Sequence, residues 1–224
     1  GMERSQFDEL SESMFLTSSY AYTSAEQAQR AFKGEEEHYL YSRYGNPTVT
    51  VFEERMKMME KAAICQSTAS GMGAVFASLA CMLKAGDRLV ASKALFGSCD
   101  YVCSVLMPRY GIDVVSVLSS EINVWENALS KPTAAVFLET PSNPMMQMFD
   151  ISAISELTRE AGGRLIVDNV FATPVFQQPL ELGADVVVYS TTKHIDGQGR
   201  TVGGAILTND EVYYQDYLRM FVRH

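Results

Sequence analysis

The sequence predicts an α/β protein whose mostly parallel sheet is covered by helices on both faces. Two observations predict this fold class. Short, near-continuous apolar segments have the length of buried strands, and longer segments of helical type alternate with them. The predicted strands are 63–67, 88–92, 112–117, 134–139, 164–168 and 185–189, and the helices between them are 71–84, 98–110, 122–129 and 151–161.

An irregular arm precedes this alternation. Ser24 and Gln27 have the spacing of a capping box, which predicts a short helix that ends near Gly34. An aromatic and cationic loop over 39–47 then leads into an amphipathic segment over 48–62. We therefore expect an arm with its loop over 1–47 and one large domain over 48–224.

Composition excludes several classes of protein. The chain has 224 residues with 47% hydrophobic and 20% charged residues, as folded globular domains do. The net charge of −9 and the scattered Lys and Arg residues argue against a nucleic-acid partner. Apolar stretches are strand-sized and no signal peptide is evident, so we expect no membrane span and a cytoplasmic location. The four cysteines lack framework or zinc spacing, which predicts reduced thiols and no metal site.

Polar and glycine-containing segments follow five of the predicted strands. In open parallel sheets, ligands bind beyond the carboxyl ends of the strands. We therefore expect these segments to meet in one cleft. They are Ser70-Gly71-Met72-Gly73, Leu95-Phe96-Gly97, Glu139-Thr-Pro-Ser-Asn-Pro144, Asp168-Asn169 and Ser190-Thr-Thr-Lys-His194.

Asp168 and Lys193 would bring opposite charges to this edge of the sheet. An ordinary buried ion pair is one interpretation. Ser190 and Thr192 add hydroxyls beside the lysine, and the helix that begins at Ser70-Gly71-Met72 adds N–H groups for an anion, although a tight turn alone also explains the glycines. Together these groups suit a phosphorylated aldehyde cofactor, pyridoxal 5'-phosphate (PLP).

Each remaining group has a place in this scheme. The amine of Lys193 condenses with the aldehyde, and Asp168 keeps the pyridine nitrogen protonated, so that the ring accepts electrons. Asn143 hydrogen-bonds the phenolic oxygen. Phe96 stacks on the ring, although a plain core aromatic is the alternative interpretation of this residue.

The segment Tyr189-Ser-Thr-Thr-Lys-His-Ile-Asp-Gly-Gln-Gly-Arg200 resembles the Cys/Met-metabolism family of PLP enzymes, which has the aspartate-aminotransferase-like fold, PLP fold type I. The resemblance extends through 41–47, 69–72, 139–144 and 167–169 and covers most of the chain. It implies that Lys193 is the Schiff-base lysine and that Asp168 pairs with the pyridine nitrogen. It also implies that Asn143 faces the phenolic oxygen and that the phosphate ligands are Ser190, Thr192, Gly71 and Met72.

The resemblance also implies an assembly. Tyr41 and Arg43 match a pair that reaches the phosphate from a neighbouring subunit. We therefore expect a homodimer or a homotetramer with shared sites, acting on a small amino-acid substrate.

Within the family, Leu95-Phe96-Gly97 and 195–200 most resemble the sulfhydrylases of O-succinylhomoserine. This branch implies that sulfide replaces the γ-acyloxy group of an activated homoserine and that homocysteine forms. Cystathionine γ-synthase and the methionine or cystathionine γ-lyases are the alternatives. Phe96 stands where many members have tyrosine, and a phenyl ring cannot transfer a proton. Ser98 stands where the methionine γ-lyases have a reactive cysteine.

Two alternatives come from other classes of protein. A dinucleotide-binding oxidoreductase could be built on Ser70-Gly71-Met72-Gly73, but the third glycine is missing and Ala91-Ser92 stands where an acidic residue is needed. The other alternative is a non-catalytic cofactor-binding fragment. We expect the small C-terminal domain of the family, with its substrate-binding arginine, to be absent because the chain stops at His224.

Overall fold

The computed structural model describes residue 4 and residues 6–224. Contacts divide the chain into two compact units. The first contains the residues up to Arg55 together with Arg223, and the second contains Met56–Val222 and His224. The boundary that we expect from the sequence, after residue 47, coincides with the start of a helix and stays a prediction.

Helix α1 (Ala25–Lys33) lies in the first unit and is fixed at both ends by local hydrogen bonds. Ser24 Oγ accepts the N–H of Gln27 at 3.1 Å, and the side-chain oxygen of Gln27 accepts the N–H of Thr23 at 2.7 Å. Gly34 ends the helix in the left-handed conformation, with φ of 74°, which glycine adopts without strain. The predicted cap and helix end are confirmed.

Helix α2 (Pro47–Glu60) follows the aromatic loop. Proline suits a first helical position because its missing N–H is not needed there. Asn46 Oδ1 accepts the N–H of Thr48 at 2.9 Å and so binds one of the free donors of the first turn. The amphipathic segment predicted over 48–62 therefore forms a helix that ends two residues earlier than its predicted end.

The second unit contains a seven-stranded sheet with the order β1-β7-β6-β5-β4-β2-β3. Strand β7 pairs antiparallel with both β1 and β6, whereas the pairs β6-β5, β5-β4, β4-β2 and β2-β3 are parallel. The mostly parallel α/β class is confirmed. The strands are β1 (Ile64–Thr68), β2 (Arg88–Ser92), β3 (Asp113–Val117), β4 (Ala135–Glu139), β5 (Arg164–Asp168), β6 (Val186–Ser190) and β7 (Gly204–Thr208).

Both faces of the sheet centre are buried. Ile166 and Phe137 belong to one large apolar cluster with the helix after β1, and neighbouring Leu165 and Val136 are also fully buried but lie outside that cluster. Because successive side chains of a strand point to opposite faces, each face must be covered. This explains why the strands have near-continuous apolar sequences rather than alternating ones.

Helices lie between the strands, and one more follows β7. They are α3 (Gly71–Ala80), α4 (Gly97–Tyr101), α5 (Met107–Arg109), α6 (Ile122–Ala128), α7 (Ile151–Glu160), α8 (Thr173–Phe176) and α9 (Arg219–Arg223). A π-helical turn, Val102–Leu106, separates α4 from α5, and a second one, Tyr213–Leu218, precedes α9. The single helix predicted over 98–110 is therefore interrupted.

The strand directions determine where the loops meet. Since β1 to β6 all run the same way and β7 runs back, the carboxyl ends of β1 to β6 and the beginning of β7 lie at one edge of the sheet. Among the described residues, Cys65, Cys81, Cys99 and Cys103 form no disulfide bond. No helix among the described residues is long and apolar enough to cross a membrane.

Candidate active site

A cavity of about 640 Å³ opens at this edge of the sheet. Its walls come from the loops after β1, β2, β4, β5 and β6 and from the segment that leads into β7. The structure therefore brings together most of the residues that the sequence singles out. The predicted site residues that line the cavity are Lys193, Asp168, Ser190, Thr192, Gly71, Met72, Phe96 and Asn143.

One end of the cavity has the features of an anion site. Ser70 caps helix α3 through its hydroxyl, which accepts the N–H of Gly73 at 3.0 Å. The first N–H groups of a helix have no partner within it, and the helix dipole favours a negative charge there. The Ser190 hydroxyl, also on the cavity wall, makes no hydrogen bond with another described residue. Gly71, Met72 and Ser190 therefore present donors to the same space.

Gly71 and Ser190 are in very close contact. A Cβ atom on Gly71 would lie 2.5 Å from the Cβ and 2.8 Å from the Oγ of Ser190. Real Cβ atoms do not approach other atoms so closely, so only glycine at position 71 lets α3 meet the end of β6 here. Gly71 is therefore needed for the close packing of α3 against β6, and not only for a tight turn.

Thr192 is placed differently from Ser190. Its hydroxyl donates to the carbonyl of Gly203 at 3.3 Å and accepts the N–H of the same residue at 3.1 Å. These bonds join the lysine loop to the segment before β7. Thr192 lines the cavity, but to donate to a phosphate its hydroxyl would have to give up its hydrogen bond to the Gly203 carbonyl.

Lys193 lies in the loop after β6 and is exposed on the cavity wall. Its backbone N–H donates to the carbonyl of Ser190 at 3.2 Å, and its carbonyl accepts the N–H of Gly197 at 2.8 Å. Within the part of the chain that the structure describes, its side-chain amine forms neither a hydrogen bond nor an ion pair. The backbone of this lysine is thus fixed while its amine is available for a ligand.

Asp168 ends β5 and is only 7% exposed. Its Oδ1 accepts the N–H of Val170 at 3.0 Å, and the thiol of Cys99 lies 4.0 Å from its Oδ2. None of the described lysines, arginines and histidines forms an ion pair with it. Burial, together with the nearby Glu139 carboxyl, therefore raises the pKa of Asp168 to about 7, against the lowering by the Val170 N–H.

Asp168 and Lys193 consequently do not form the ordinary ion pair that the sequence left open. Both groups line the same cavity, but no hydrogen bond or ion pair joins their side chains. A buried carboxylate without a cation is costly unless a ligand supplies the positive charge.

Glu139 is a polar member of the site that sequence reasoning did not single out. It ends β4 directly opposite Asp168 in the strand register and lines the cavity. Its Oε2 accepts the N–H of Phe96 at 2.6 Å, and its Oε1 accepts the N–H of Asn143 at 3.0 Å. Burial raises the pKa of Glu139, while the two N–H donors lower it. The position of an acidic residue at a strand end was the available signal, as for Asp168.

A buried polar network lies behind the cavity wall. Tyr189, which also lines the cavity, donates its hydroxyl hydrogen to Glu60 and accepts the amide N–H of Asn169 at 2.6 Å. Asn169 Oδ1 in turn accepts from the side chain of Gln177 at 2.8 Å. Burial raises the pKa of Glu60 to about 7. The network fixes the residues that follow Asp168 and precede Ser190 in the chain.

Tyr41 and Arg43 belong to the first unit and do not line the cavity. Arg43 lies over the rings of Tyr41 and Tyr44, at 5.6 Å and 5.0 Å from their centroids, and its guanidinium donates to the carbonyl of Arg223. Tyr41 is 42% exposed. These contacts order the loop, and its expected role at a neighbouring subunit stays a prediction.

The donor set fits the cofactor that the sequence predicts. An available lysine amine, a buried carboxylate without a cation, and a helix N-terminus beside a free hydroxyl match the aldehyde, the protonated pyridine and the phosphate of PLP. The fold and the site together define an α/β protein of the class that binds PLP at a lysine.

Comparisons with known proteins agree with this class. The whole chain, residues 1–224, matches the family model described as Cys/Met metabolism PLP-dependent enzyme, and the chain belongs to this family. Its fold is PLP fold type I. The predicted family and cofactor are therefore confirmed.

Three similar proteins illustrate the range of the family. The chain is 57% identical over 224 residues to O-succinylhomoserine sulfhydrylase of Mycobacterium tuberculosis, covering 100% of the chain and 55% of that protein. It is 41% identical to L-methionine gamma-lyase of Fusobacterium nucleatum, and the alignment covers 95% of the chain and 54% of that protein. A crystal structure from Campylobacter jejuni with N'-pyridoxyl-lysine-5'-monophosphate superposes on the chain with a TM-score of 0.89 at 28% identity. This match covers 97% of the chain and 55% of that structure's chain. The chain spans about half the length of these proteins.

Replacing Gly71 by alanine is expected to disrupt the phosphate end of the cavity, because the new Cβ would overlap Ser190. The matched control is Gly97→Ala, since Gly97 also begins a helix and a Cβ there meets nothing within 4 Å. We expect Gly71→Ala to weaken PLP binding at least about tenfold, as loss of one or two hydrogen bonds to a charged group would. Equal dissociation constants for the two variants, measured by fluorescence titration, would contradict this reading of the contact.

Replacing Asp168 by asparagine is expected to stabilise the cofactor-free protein at high pH. The folded pKa of about 7 lies above the ordinary value of 3.8, so the folded state holds a proton that the unfolded state releases. The stabilisation that this proton gives the folded state is fully present below about pH 4 and is lost as the pH rises through about 7. The loss in the free energy of unfolding is on the order of a few kcal/mol. Asp168→Asn should therefore gain stability over the wild type between pH 4 and 8.

Urea unfolding at several pH values between 4 and 8 measures this gain. Asp216→Asn is the control, because Asp216 is exposed. A stability difference between Asp168→Asn and the wild type that does not change with pH would show that the carboxyl titrates normally.

Proposed function

We propose that the protein catalyses γ-replacement on an acylated homoserine, in which sulfide displaces succinate from O-succinylhomoserine and homocysteine forms. The observation that carries this proposal is the 57% identity, over the whole chain, to an O-succinylhomoserine sulfhydrylase. The site geometry supports the PLP chemistry on which the reaction depends. The proposal places the protein in the biosynthesis of sulfur amino acids.

We propose the following roles for the residues of the cavity. Lys193 is the residue that bonds the cofactor, and its amine takes the α-proton of the substrate and returns protons as succinate leaves and sulfide adds. Asp168 balances the charge at the pyridine nitrogen. When bound, the cofactor supplies an electron sink for the negative charge that develops at the substrate α-carbon. Lys193 can act at both stages because its amine has no partner among the described residues.

The groups around these two residues orient the cofactor. Ser190, Thr192 and the N–H groups of Gly71 and Met72 hold the phosphate. Asn143 faces the phenolic oxygen, and Phe96 covers one face of the ring. Phe96 is 46% exposed and lines the cavity, which is unlike a plain core aromatic and suits a residue that stacks on a ligand.

The composition of the loop after β2 favours the sulfhydrylase over a γ-lyase. Phe96 has no hydroxyl that could protonate a leaving group. Ser98 follows Gly97, and the nearby Cys99 is only 2% exposed. Burial raises the pKa of the Cys99 thiol far above its ordinary value, so this thiol is not a reactive thiolate. Cystathionine γ-synthase differs only in using cysteine as the nucleophile and is the second candidate.

We further propose a homodimer or a homotetramer in which Tyr41 and Arg43 reach the phosphate of a neighbouring subunit. The exposure of Tyr41 and the ordering of Arg43 by two aromatic rings support this. A cytoplasmic location is proposed from the four cysteines, which form no disulfide among the described residues, since reducing compartments keep thiols reduced.

Covalent labelling tests the role of Lys193. The protein with bound PLP should be yellow, and borohydride should fix the pyridoxyl group to one peptide that contains Lys193. Lys193→Ala should lose this label, whereas Lys131→Ala, at an exposed lysine, should keep it. Mass spectrometry of the digested protein provides the measurement. A label on another lysine in the wild type would refute the assignment.

A comparison of nucleophiles tests the reaction. The whole protein, incubated with O-succinylhomoserine and equal concentrations of sulfide or cysteine, should release succinate at least about tenfold faster with sulfide, a difference of roughly 1.4 kcal/mol in transition-state stabilisation. Chromatography of the products separates homocysteine from cystathionine. Faster formation of cystathionine would identify a cystathionine γ-synthase, and release of a 2-oxo acid without any nucleophile would identify a lyase.

A further inference from the structure

Glu139 joins two separate parts of the cavity wall through one buried carboxylate. It is 3% exposed at the end of β4. One of its oxygens accepts the N–H of Phe96, in the loop after β2, and the other accepts the N–H of Asn143, in the loop after β4 itself. Each of these two residues carries a side chain that faces the cavity.

The two hydrogen bonds determine the backbone from which each side chain projects. Phe96 is the residue before helix α4, and its carbonyl accepts the N–H of Asp100 at 3.0 Å. The backbone of Phe96 is therefore held at its N–H by Glu139 and at its carbonyl by the helix. Hydrogen bonds from N–H groups to an ionised carboxylate are roughly twice as strong as neutral ones.

A carboxylate is the side chain that this arrangement requires. It has two acceptor oxygens and no donor, so it can accept both N–H groups at once. A glutamine of the same size has one acceptor and one NH₂ group, and the NH₂ group would face a backbone N–H. One buried donor would then be left without a partner, which is unfavourable.

The position of Glu139 also relates these two side chains to Asp168. Glu139 and Asp168 are register partners at the ends of neighbouring parallel strands. The carboxylate that holds Phe96 and Asn143 is therefore fixed to the same edge of the sheet as the carboxylate expected at the pyridine nitrogen. One short piece of sheet thus sets the mutual positions of three groups around the ring.

We propose that Glu139 is a positioning residue of the PLP site, which holds Phe96 and Asn143 in the places where they contact the cofactor. The proposal rests on the proposed function, because it assumes that the ring binds between these side chains. Glu139 itself acts through two backbone N–H groups and does not need to touch the cofactor.

Amide hydrogen exchange in the cofactor-free protein tests this role without any activity measurement. In the wild type, the N–H groups of Phe96 and Asn143 should both be protected. Glu139→Gln should raise the exchange rate of at least one of them by about tenfold or more, since one acceptor is lost. The same variant should bind PLP at least about tenfold more weakly in a fluorescence titration. Glu126→Gln, at an exposed position on α6, is the matched control and should change neither quantity.

A second variant separates positioning from charge. Glu139→Asp keeps the negative charge but is one methylene shorter, so it cannot reach both N–H groups. It should therefore weaken PLP binding as Glu139→Gln does. Wild-type behaviour of Glu139→Asp together with a defect in Glu139→Gln would mean that charge alone matters, and it would overturn the proposal.

The exchange rates of the wild type keep the test decisive even if both variants fail to fold. Rapid exchange of either amide in the folded wild type would overturn the role of Glu139. If the wild type does not take up PLP, the proposed function fails instead. If it takes up PLP and Glu139→Gln binds it equally tightly, only the positioning role fails.

Discussion

The common direction of strands β1 to β6 is the constraint on which the site depends. Parallel strands bring their carboxyl ends to one edge, so residues far apart in sequence, such as Gly71, Asp168 and Lys193, line a single cavity. Strand β7 runs back and begins at the same edge, where Gly203 bonds Thr192. The chemistry is thus carried by loops, and their relative positions are set by the buried sheet beneath them.

Two carboxyl groups are buried side by side at this edge. Glu139 and Asp168 are buried as neighbours, and the structure shows no cation paired with Asp168 among the described residues. Two such carboxyls are compatible with a folded protein because backbone N–H groups hold one of them and a proton or a positively charged ligand can neutralise the other. An ionised Asp168 without a cation is unfavourable in the empty site, and a ligand with a cationic ring would relieve this cost.

Much of the fold and site followed from local sequence patterns. Asp168 and Lys193 were found because each charged residue follows an apolar strand. Glu139 also ends an apolar strand, so the sequence indicates its place, but its contacts with two backbone N–H groups leave no trace in the sequence. Strand β7 was not predicted because its apolar segment starts at a glycine pair and its antiparallel pairing depends on distant strands. The sequence likewise does not predict the π-helical turn in the helix after β2, since such turns are rare interruptions of α-helices.

The contact between Gly71 and Ser190 limits how this site can change during evolution. A Cβ atom at position 71 would lie 2.8 Å from the backbone Cα of Ser190 as well as 2.5 Å from its Cβ. Because the Cα is present in every residue type, even glycine at position 190 would not make room for a side chain at position 71, so we expect glycine at position 71 in relatives that keep this contact. In a combinatorial library, glycine must therefore be kept at position 71, because any side chain there would overlap the backbone of residue 190 as well as its side chain.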